Sequence, residues 1–341
     1  MRAVRIHQHG DASVLRFEEA PDPQPHAGWA LVRVRACALN HLDIWIRNGL
    51  PGIQIPLPHI LGSDLAGEIV DPGGADLKPG TRILVAPGIG CGRCAACSLG
   101  ADNFCRQYTL MGYKIDGGYA ELAAAPIANL IPIPDSMSFT EAAAVPLVFL
   151  TAWHMLVARA GLRPGEDVLI QGAGSGVGSA AIQIAKLLGA RVIATSGAAR
   201  KLELAQQLGA DHVLSYREQD VASEVRRLTG KKGVDVVFEH VGAATWDSSV
   251  ASLAHGGRLV TCGSTSGAKV ELDIQQLFGR QLVLAGSYMG GRGELHKVLQ
   301  FVFDGRLKPV IDRTFQLSEA AAAHRHLESQ QQFGKVLLAI T

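Results

Sequence analysis

The stretch Asp167-Val168-Leu169-Ile170-Gln171-Gly172-Ala173-Gly174-Ser175-Gly176-Val177-Gly178-Ser179 decides the fold of this chain. Five residues suited to a buried strand run into a turn of small residues. A helical pattern over residues 180–188 follows. In that order the three parts cradle a pyrophosphate: small residues let the backbone approach the phosphates, and the helix N-terminus offers amide donors and a positive dipole end. The strict Gly-x-Gly-x-x-Gly spacing is not kept, because the last position falls on Val177 counted from Gly172 and on Ser179 counted from Gly174. A glycine turn serves tight packing as readily as ligand binding, so the reading depends on what flanks it.

Working outward, strand-like runs at residues 191–196, 235–239, 258–262 and 282–287 alternate with helical patterns at 200–208 and 221–228. Strands spaced by helices of that length imply βαβ units and a parallel, doubly wound sheet. Upstream the texture differs. Residues 31–37 and 67–70 are strand-like, and prolines such as Pro51, Pro56, Pro58, Pro72 and Pro79 keep helices short. An alanine- and leucine-rich stretch, 141–160, joins the two textures. Beyond residue 290 come a helical 295–304, a turn at Gly305, a second helix near 319–327 and a strand at 336–340, with no linker setting this tail apart. The expected fold class is α/β: a mostly-β domain over 1–148, completed by a returning tail 291–341, and a doubly wound domain over 149–290.

Size and charge agree with two domains and a small-molecule partner. A chain of 341 residues exceeds what one core usually supports. With 48% hydrophobic residues, mean hydropathy +0.17 and scattered glycines, it is neither disordered nor fibrous. Basic and acidic residues balance, 32 against 31, without a long run of one sign, which excludes a nucleic-acid surface or a polybasic membrane patch. No stretch reaches the roughly 18 apolar residues of a membrane span, and Met1 to His9 has no signal-peptide pattern. The expectation is a cytoplasmic protein.

Four of the six cysteines, Cys91, Cys94, Cys97 and Cys105, fall in a Cys-x2-Cys-x2-Cys-x7-Cys pattern within a loop at 88–107. Four thiolates at that spacing close a tetrahedral sphere around one Zn²⁺ and leave no position for substrate, so the metal expected here is structural. Disulfides are the rival reading, disfavoured in a cytoplasmic chain. Cys37 and Cys262 read as core thiols. The glycine turn supplies the candidate cofactor residues Gly172, Ala173, Gly174, Ser175, Gly176, Val177 and Gly178. After the next strand, residues 194–201 contain no carboxylate to accept from a ribose 2′-hydroxyl but do contain Ser196, Arg200 and Lys201. That composition suits a 2′-phosphate, hence NADP(H) over NAD(H), although the two cations are also ordinary for the solvated first turn of a helix.

Taken together, the four-cysteine lobe, the turn Gly172–Gly178, the returning tail and the segments Ala38-Leu39-Asn40-His41-Leu42-Asp43, Leu61-Gly62-Ser63-Asp64-Leu65-Ala66-Gly67-Glu68 and Phe333-Gly334-Lys335-Val336 resemble the zinc-containing alcohol dehydrogenase / NADPH:quinone oxidoreductase family of the medium-chain dehydrogenase/reductase superfamily. The resemblance covers nearly the whole chain and implies a GroES-like first domain and a Rossmann second domain. It also implies where the chain departs from the alcohol branch. The catalytic-zinc ligands of that branch fall on Asn40, Ser63, Asp64 and about Leu147, and its proton-relay positions on Leu42 and Trp45. Asn40, Ser63 and Leu147 offer neither thiolate nor imidazole, and zinc needs three strong ligands to polarise an alcohol.

The resemblance therefore implies an NADPH-dependent reductase of quinones or activated alkenes without catalytic zinc. In this reading Asn40 is the first candidate hydrogen-bond donor to the reacting oxygen and His41 approaches the pyrophosphate. Asp43 and Asp64 orient cleft residues, Thr151 touches the nicotinamide, and Lys201 and Tyr216 contact the 2′-phosphate. Asn40 reads equally well as a structural turn residue. Two alternatives stay open: an alcohol or aldehyde dehydrogenase whose second metal uses His41, His59 or Asp64, and a non-enzymatic, crystallin-like NADPH-binding protein. The strand at 282–287 is expected to pair across a two-fold axis, giving a homodimer or homotetramer.

Overall fold

A computed structural model describes all 341 residues and divides into two compact units. The first comprises Met1–Leu147, Gly291–Asp304 and Pro309–Thr341; the second comprises Val148–Gly290 with Gly305–Lys308.

The first unit is built on a seven-stranded sheet. Its longest strand, Trp29–Ala38, alternates half-buried and buried positions at its start and is wholly buried from Ala36 to Ala38. That strand pairs antiparallel with Asp64–Asp71 on one side and with the C-terminal strand Lys335–Ala339 on the other, so Leu337 lies opposite Ala38. Val32, Val34, Leu65, Ile83, Val336 and Leu338 are buried in the core. A second, three-stranded sheet joins Arg2–Ile6 to Arg16–Glu19 and His59–Ile60; neither of the two N-terminal strands stood out in the sequence. The tail also contributes a strand not anticipated, Ile311–Gln316, parallel to Lys335–Ala339.

The second unit is a six-stranded, all-parallel sheet. Its strands lie in the order His212–Ser215, Arg191–Ser196, Asp167–Ile170, Val234–Glu239, Leu253–Thr261, Val283–Gly286. Leu169, Ile193, Val237 and Leu259 are wholly buried, the near-continuous apolar run expected of strands covered on both faces. Chain order reverses between Asp167–Ile170 and Val234–Glu239, which is where doubly wound folds place their ligands.

Two boundaries shift from the sequence reading for local reasons. The helix after the glycine turn starts at Gly176, ahead of the helical pattern at 180–188, because the Ser175 hydroxyl caps it by accepting from Gly178 N at 2.8 Å. The strand expected at 258–262 begins earlier, at Leu253: Gly256 takes a positive φ of 72° and lets the pair Gly256-Gly257 bulge within the ladder between Leu253 and Arg258. No helix is long and apolar enough to cross a membrane.

Candidate active site and metal centre

Asn40 lies two residues past the long strand and caps the helix His41–Asn48, and Asp64 opens the neighbouring strand, so register alone brings Ala38 opposite Asp64. The tail completes the group. Lys335 Nζ donates to Asn40 Oδ1 at 2.7 Å, to Leu39 O at 2.8 Å and to Asp64 Oδ2 at 3.1 Å. Asn40 Nδ2 donates to the same Asp64 oxygen at 2.9 Å, and Asp64 Oδ1 accepts from Leu147 N at 2.9 Å. All three side chains are buried. The Asn40 amide is thus engaged on both its oxygen and its nitrogen. One hydroxyl in the neighbourhood is not: Ser63 Oγ is wholly buried and has no hydrogen-bond partner.

Asp43 holds the backbone beneath this group. Its carboxylate accepts from Asn40 N at 2.7 Å, from Gly62 N at 3.1 Å and from Tyr119 Oη at 3.3 Å. Burial nevertheless dominates and pushes its carboxyl up to about 6. Behind Asp43 the donors run in one direction. Arg47 Nη1 reaches His324 Nδ1 at 3.1 Å, and His324 Nε2 reaches Tyr119 Oη at 3.2 Å. A guanidinium only donates, so His324 carries its proton on Nε2 and Tyr119 is free to donate to Asp43. Burial, aided by Arg47, drives the His324 imidazole down to about 3, which keeps it neutral. Arg47 itself is buried and pairs with Glu328, tying the helix His41–Asn48 to the tail helix Ala320–Glu328.

His41 opens its helix with its ring edge-on to Trp45, centroids 5.1 Å apart. His59 is buried, its Nε2 at 3.1 Å from Gly112 O and its Nδ1 at 3.3 Å from Asp116. These two histidines and Asp64 do not gather as metal ligands. The only group of three or more Cys, His, Asp or Glu side chains whose ligand atoms converge is Cys91, Cys94, Cys97 and Cys105, with all four within 4.8 Å of one another.

The separation of Cys94 Sγ and Cys97 Sγ, 3.6 Å, matches the roughly 3.8 Å between thiolates sharing one tetrahedral zinc at about 2.3 Å. Backbone N–H groups of Cys91 and Gln107 point at Cys105 Sγ, each at 3.4 Å. Those of Arg93 and Cys94 pull the Cys91 thiol down to about 6, whereas burial pushes Cys97 up to about 12. A divalent cation is what would hold all four as thiolates. The lobe is anchored to the tail, where Arg292 N donates to Asp102 Oδ1 at 2.6 Å.

In the second unit the glycine turn lies at the switch point, and its close approaches are explicit. A Cβ on Gly178 would stand 2.5 Å from Gly172 O, and one on Gly174 would stand 2.7 Å from Lys201 Cδ. Only hydrogen fits at Gly178, where the neighbour is backbone; at Gly174 the flexible Lys201 side chain would have to shift. Lys201 therefore lies across the turn, while Arg200 is exposed. The Tyr216 ring covers Gly197, where a Cβ would meet it at 2.6 Å, just after buried Ser196. Thr151 is buried, with its hydroxyl 3.8 Å from Met289 Sδ.

Several residues the sequence reading passed over organise this turn. Glu239, wholly buried, accepts from Val241 N, Gly242 N, Thr245 Oγ1 and Ser249 Oγ. His240 Nε2 lies 2.9 Å from Gln171 O and 3.2 Å from Ser175 Oγ. A signal was present, since Glu239-His240 ends an apolar strand where a charged pair is otherwise out of place. Lys335 had the same kind of signal as a charge heading a buried strand.

With this geometry in view, similarity to known proteins is informative. Residues 26–135 match the alcohol dehydrogenase GroES-like domain family, and residues 176–304 match the zinc-binding dehydrogenase family. An NAD-dependent alcohol dehydrogenase of Sulfolobus acidocaldarius is 31% identical over the full length of both chains. A quinone oxidoreductase of Pongo abelii is 30% identical over 96% of this chain and 94% of its own. A crystal structure described as an NAD-dependent alcohol dehydrogenase superposes with a TM-score of 0.97 at 46% identity, covering all of both chains.

Proposed function

The chain belongs to the medium-chain dehydrogenase/reductase superfamily and is an oxidoreductase of that family; from that premise we propose that it transfers hydride from NADPH to a quinone or an activated C=C bond, with no metal taking part in the reaction. One observation carries this reading. Where the alcohol branch needs three strong zinc ligands, the chain has Asn40 and Asp64 closed on Lys335, a serine hydroxyl, and Leu147, whose contribution is a backbone N–H. The single convergent ligand set is the cysteine lobe, read as one structural zinc.

A quinone or enone spreads its own developing charge, so the protein has only to position it and to offer donors to its oxygen. Nicotinamide bound at the switch point supplies the hydride. In the first unit Asn40, Asp64 and Lys335 form a buried polar cluster and Asp43 orients the backbone of Asn40 and Gly62; in the second unit Thr151 is the residue read as touching the nicotinamide. At the cofactor, Gly172 to Gly178 receive the pyrophosphate, and Ser196, Arg200, Lys201 and Tyr216 surround the 2′-phosphate.

The deciding experiment measures zinc per chain and, on the same sample, oxidation of NADPH and NADH by quinones and enones against oxidation of alcohols. About one zinc per chain with quinone or enone turnover is the expected outcome. Near two zincs with alcohol turnover would replace this reading by alcohol or aldehyde dehydrogenation through atypical ligands, the reading favoured by the name given to the 46%-identical structure. Tight cofactor binding with no turnover would leave a crystallin-like binding protein. Lys201→Ala tests cofactor choice: loss of NADPH affinity alone supports a 2′-phosphate contact, whereas equal loss for NADH moves Lys201 to the pyrophosphate, as its position over Gly174 also permits.

The proposed assembly is a homodimer or homotetramer paired through the edge strand Val283–Gly286. Val283 on that edge is 51% exposed, and Ile274 and Phe278 on the helix just before it are each 68% exposed, an apolar surface that a lone edge strand would leave open to aggregation. Sedimentation of Val283→Lys as a monomer, against an oligomeric wild type, is the expected result.

A further inference from the structure

His240 follows the strand Val234–Glu239, directly across the switch point from the glycine turn. Its ring lies on Gly172, where a Cβ would meet Cε1 at 3.0 Å. Its Nε2 is 2.9 Å from the carbonyl oxygen of Gln171 and 3.2 Å from Ser175 Oγ. A carbonyl oxygen can only accept, so Nε2 carries a hydrogen whatever the charge of the ring. Nε2 therefore cannot accept from Ser175; its single hydrogen is shared between the Gln171 carbonyl oxygen and, at the longer distance, Ser175 Oγ. Gly178 N also donates to that hydroxyl, at 2.8 Å. Both lone pairs of Ser175 Oγ are then taken, and its own hydrogen has no acceptor within the protein.

We propose that His240 is a positioning residue: by donating to Ser175 Oγ together with Gly178 N, it turns the serine hydroxyl hydrogen outward as a fixed donor to a ligand phosphate oxygen at the glycine turn. This rests on the reading of that turn as the dinucleotide site. Independently, burial lowers the His240 imidazole, so the ring acts as a neutral donor and not as a cation competing for the phosphate. The proposal separates two serine roles that usually go together. Ser175 caps the helix Gly176–Leu187 through its oxygen, and His240 decides where its hydrogen points.

The test is a double-mutant cycle on the full chain, read as dissociation constants for NADPH and for adenosine 2′-phosphate, which lacks the pyrophosphate. His240→Ala is expected to weaken NADPH about tenfold, the worth of one oriented hydrogen bond to a charged group, and to leave adenosine 2′-phosphate unchanged. His240→Gln, whose amide nitrogen can stand where Nε2 does, is expected to restore most of the loss. In a Ser175→Ala background, His240→Ala should add nothing further. Equal losses in both backgrounds, failure of the glutamine rescue, or equal loss for the fragment would each overturn the assignment and leave His240 a packing residue. Wild-type protein that binds neither NADPH nor NADH would instead overturn the dinucleotide reading itself.

Discussion

Replacing Lys335 by methionine keeps most of the apolar stem and removes the ammonium. In the native unit that ammonium is 3.1 Å from an Asp64 carboxylate whose side chain is wholly buried. At an effective dielectric near 20 the pair is worth about 5 kcal/mol of Coulomb energy at that distance. Breaking a buried pair from one side typically costs about 3–5 kcal/mol, because the partner stays buried and unpaired. Lys335→Met also strands Asn40 Oδ1 and Leu39 O. The expected loss is therefore about 3–5 kcal/mol, confined to the first unit. Urea unfolding followed by tryptophan fluorescence reads it in a Trp153→Phe, Trp246→Phe background, where Trp29 and Trp45 report the first unit alone. That separation matters because a two-unit chain need not unfold in one step. Adding Asp64→Asn to Lys335→Met should recover part of the loss by removing the stranded charge. A loss under about 1 kcal/mol in the single variant, the scale of a surface pair, would refute the claim that this ion pair holds the buried Asn40–Asp64 cluster together.

Asp43 sets a second expectation. Its folded carboxyl is raised from 3.8 to about 6 by burial, so the folded state binds its proton more readily than the unfolded state. The contribution to stability is fully present below about pH 3.8 and is lost as pH rises through 6, amounting to about 3 kcal/mol. The stability of wild type minus that of Asp43→Asn should rise by most of that amount as pH falls from 7 to 4, and parallel curves would refute it. For the lobe, Cys97→Ser is expected to drop zinc well below one per chain by elemental analysis and to open Arg93 and Arg106 to trypsin. Retained zinc would show that the four thiolates do not act as one site.

What the sequence disclosed and what it withheld divide along a physical line. The parallel sheet, the glycine turn and the cysteine lobe are local patterns, written in consecutive residues whose spacing carries the geometry. The turn was readable because it needs small residues, most plainly at Gly178, which meets Gly172 O so closely that no side chain fits. Lys335 was withheld because its partners, Asn40 and Asp64, lie 295 and 271 residues away, and no periodicity links them. The same holds for His324, which meets Tyr119 across 205 residues, and for His240, whose role exists only once two strands reverse order at the switch point. Asn40 shows the limit within a correct placement. The sequence offered it as a donor or as a turn residue, but only the fold shows both ends of its amide engaged by Asp64 and Lys335.

That engagement shifts attention to Ser63. A wholly buried hydroxyl without a partner costs about 1–3 kcal/mol relative to one that is satisfied, and such a group persists where something else gives it a use. Removing it by Ser63→Ala leaves the Cβ and the packing in place. Stability should therefore rise, by about 1 kcal/mol. If the hydroxyl is held for the substrate oxygen, kcat/KM for the quinone or enone should fall about tenfold in the same variant, since a donor aimed at developing charge is worth at least one such bond. Urea unfolding and steady-state kinetics on one preparation decide it. Gain of stability with loss of turnover is the signature of a group kept for the reaction. Gain of stability with turnover unchanged would make Ser63 a plain packing defect and return the donor role to Asn40, whose Nδ2 gives one hydrogen to Asp64 and would have to turn its other, now 3.5 Å from Ala38 O, toward the substrate.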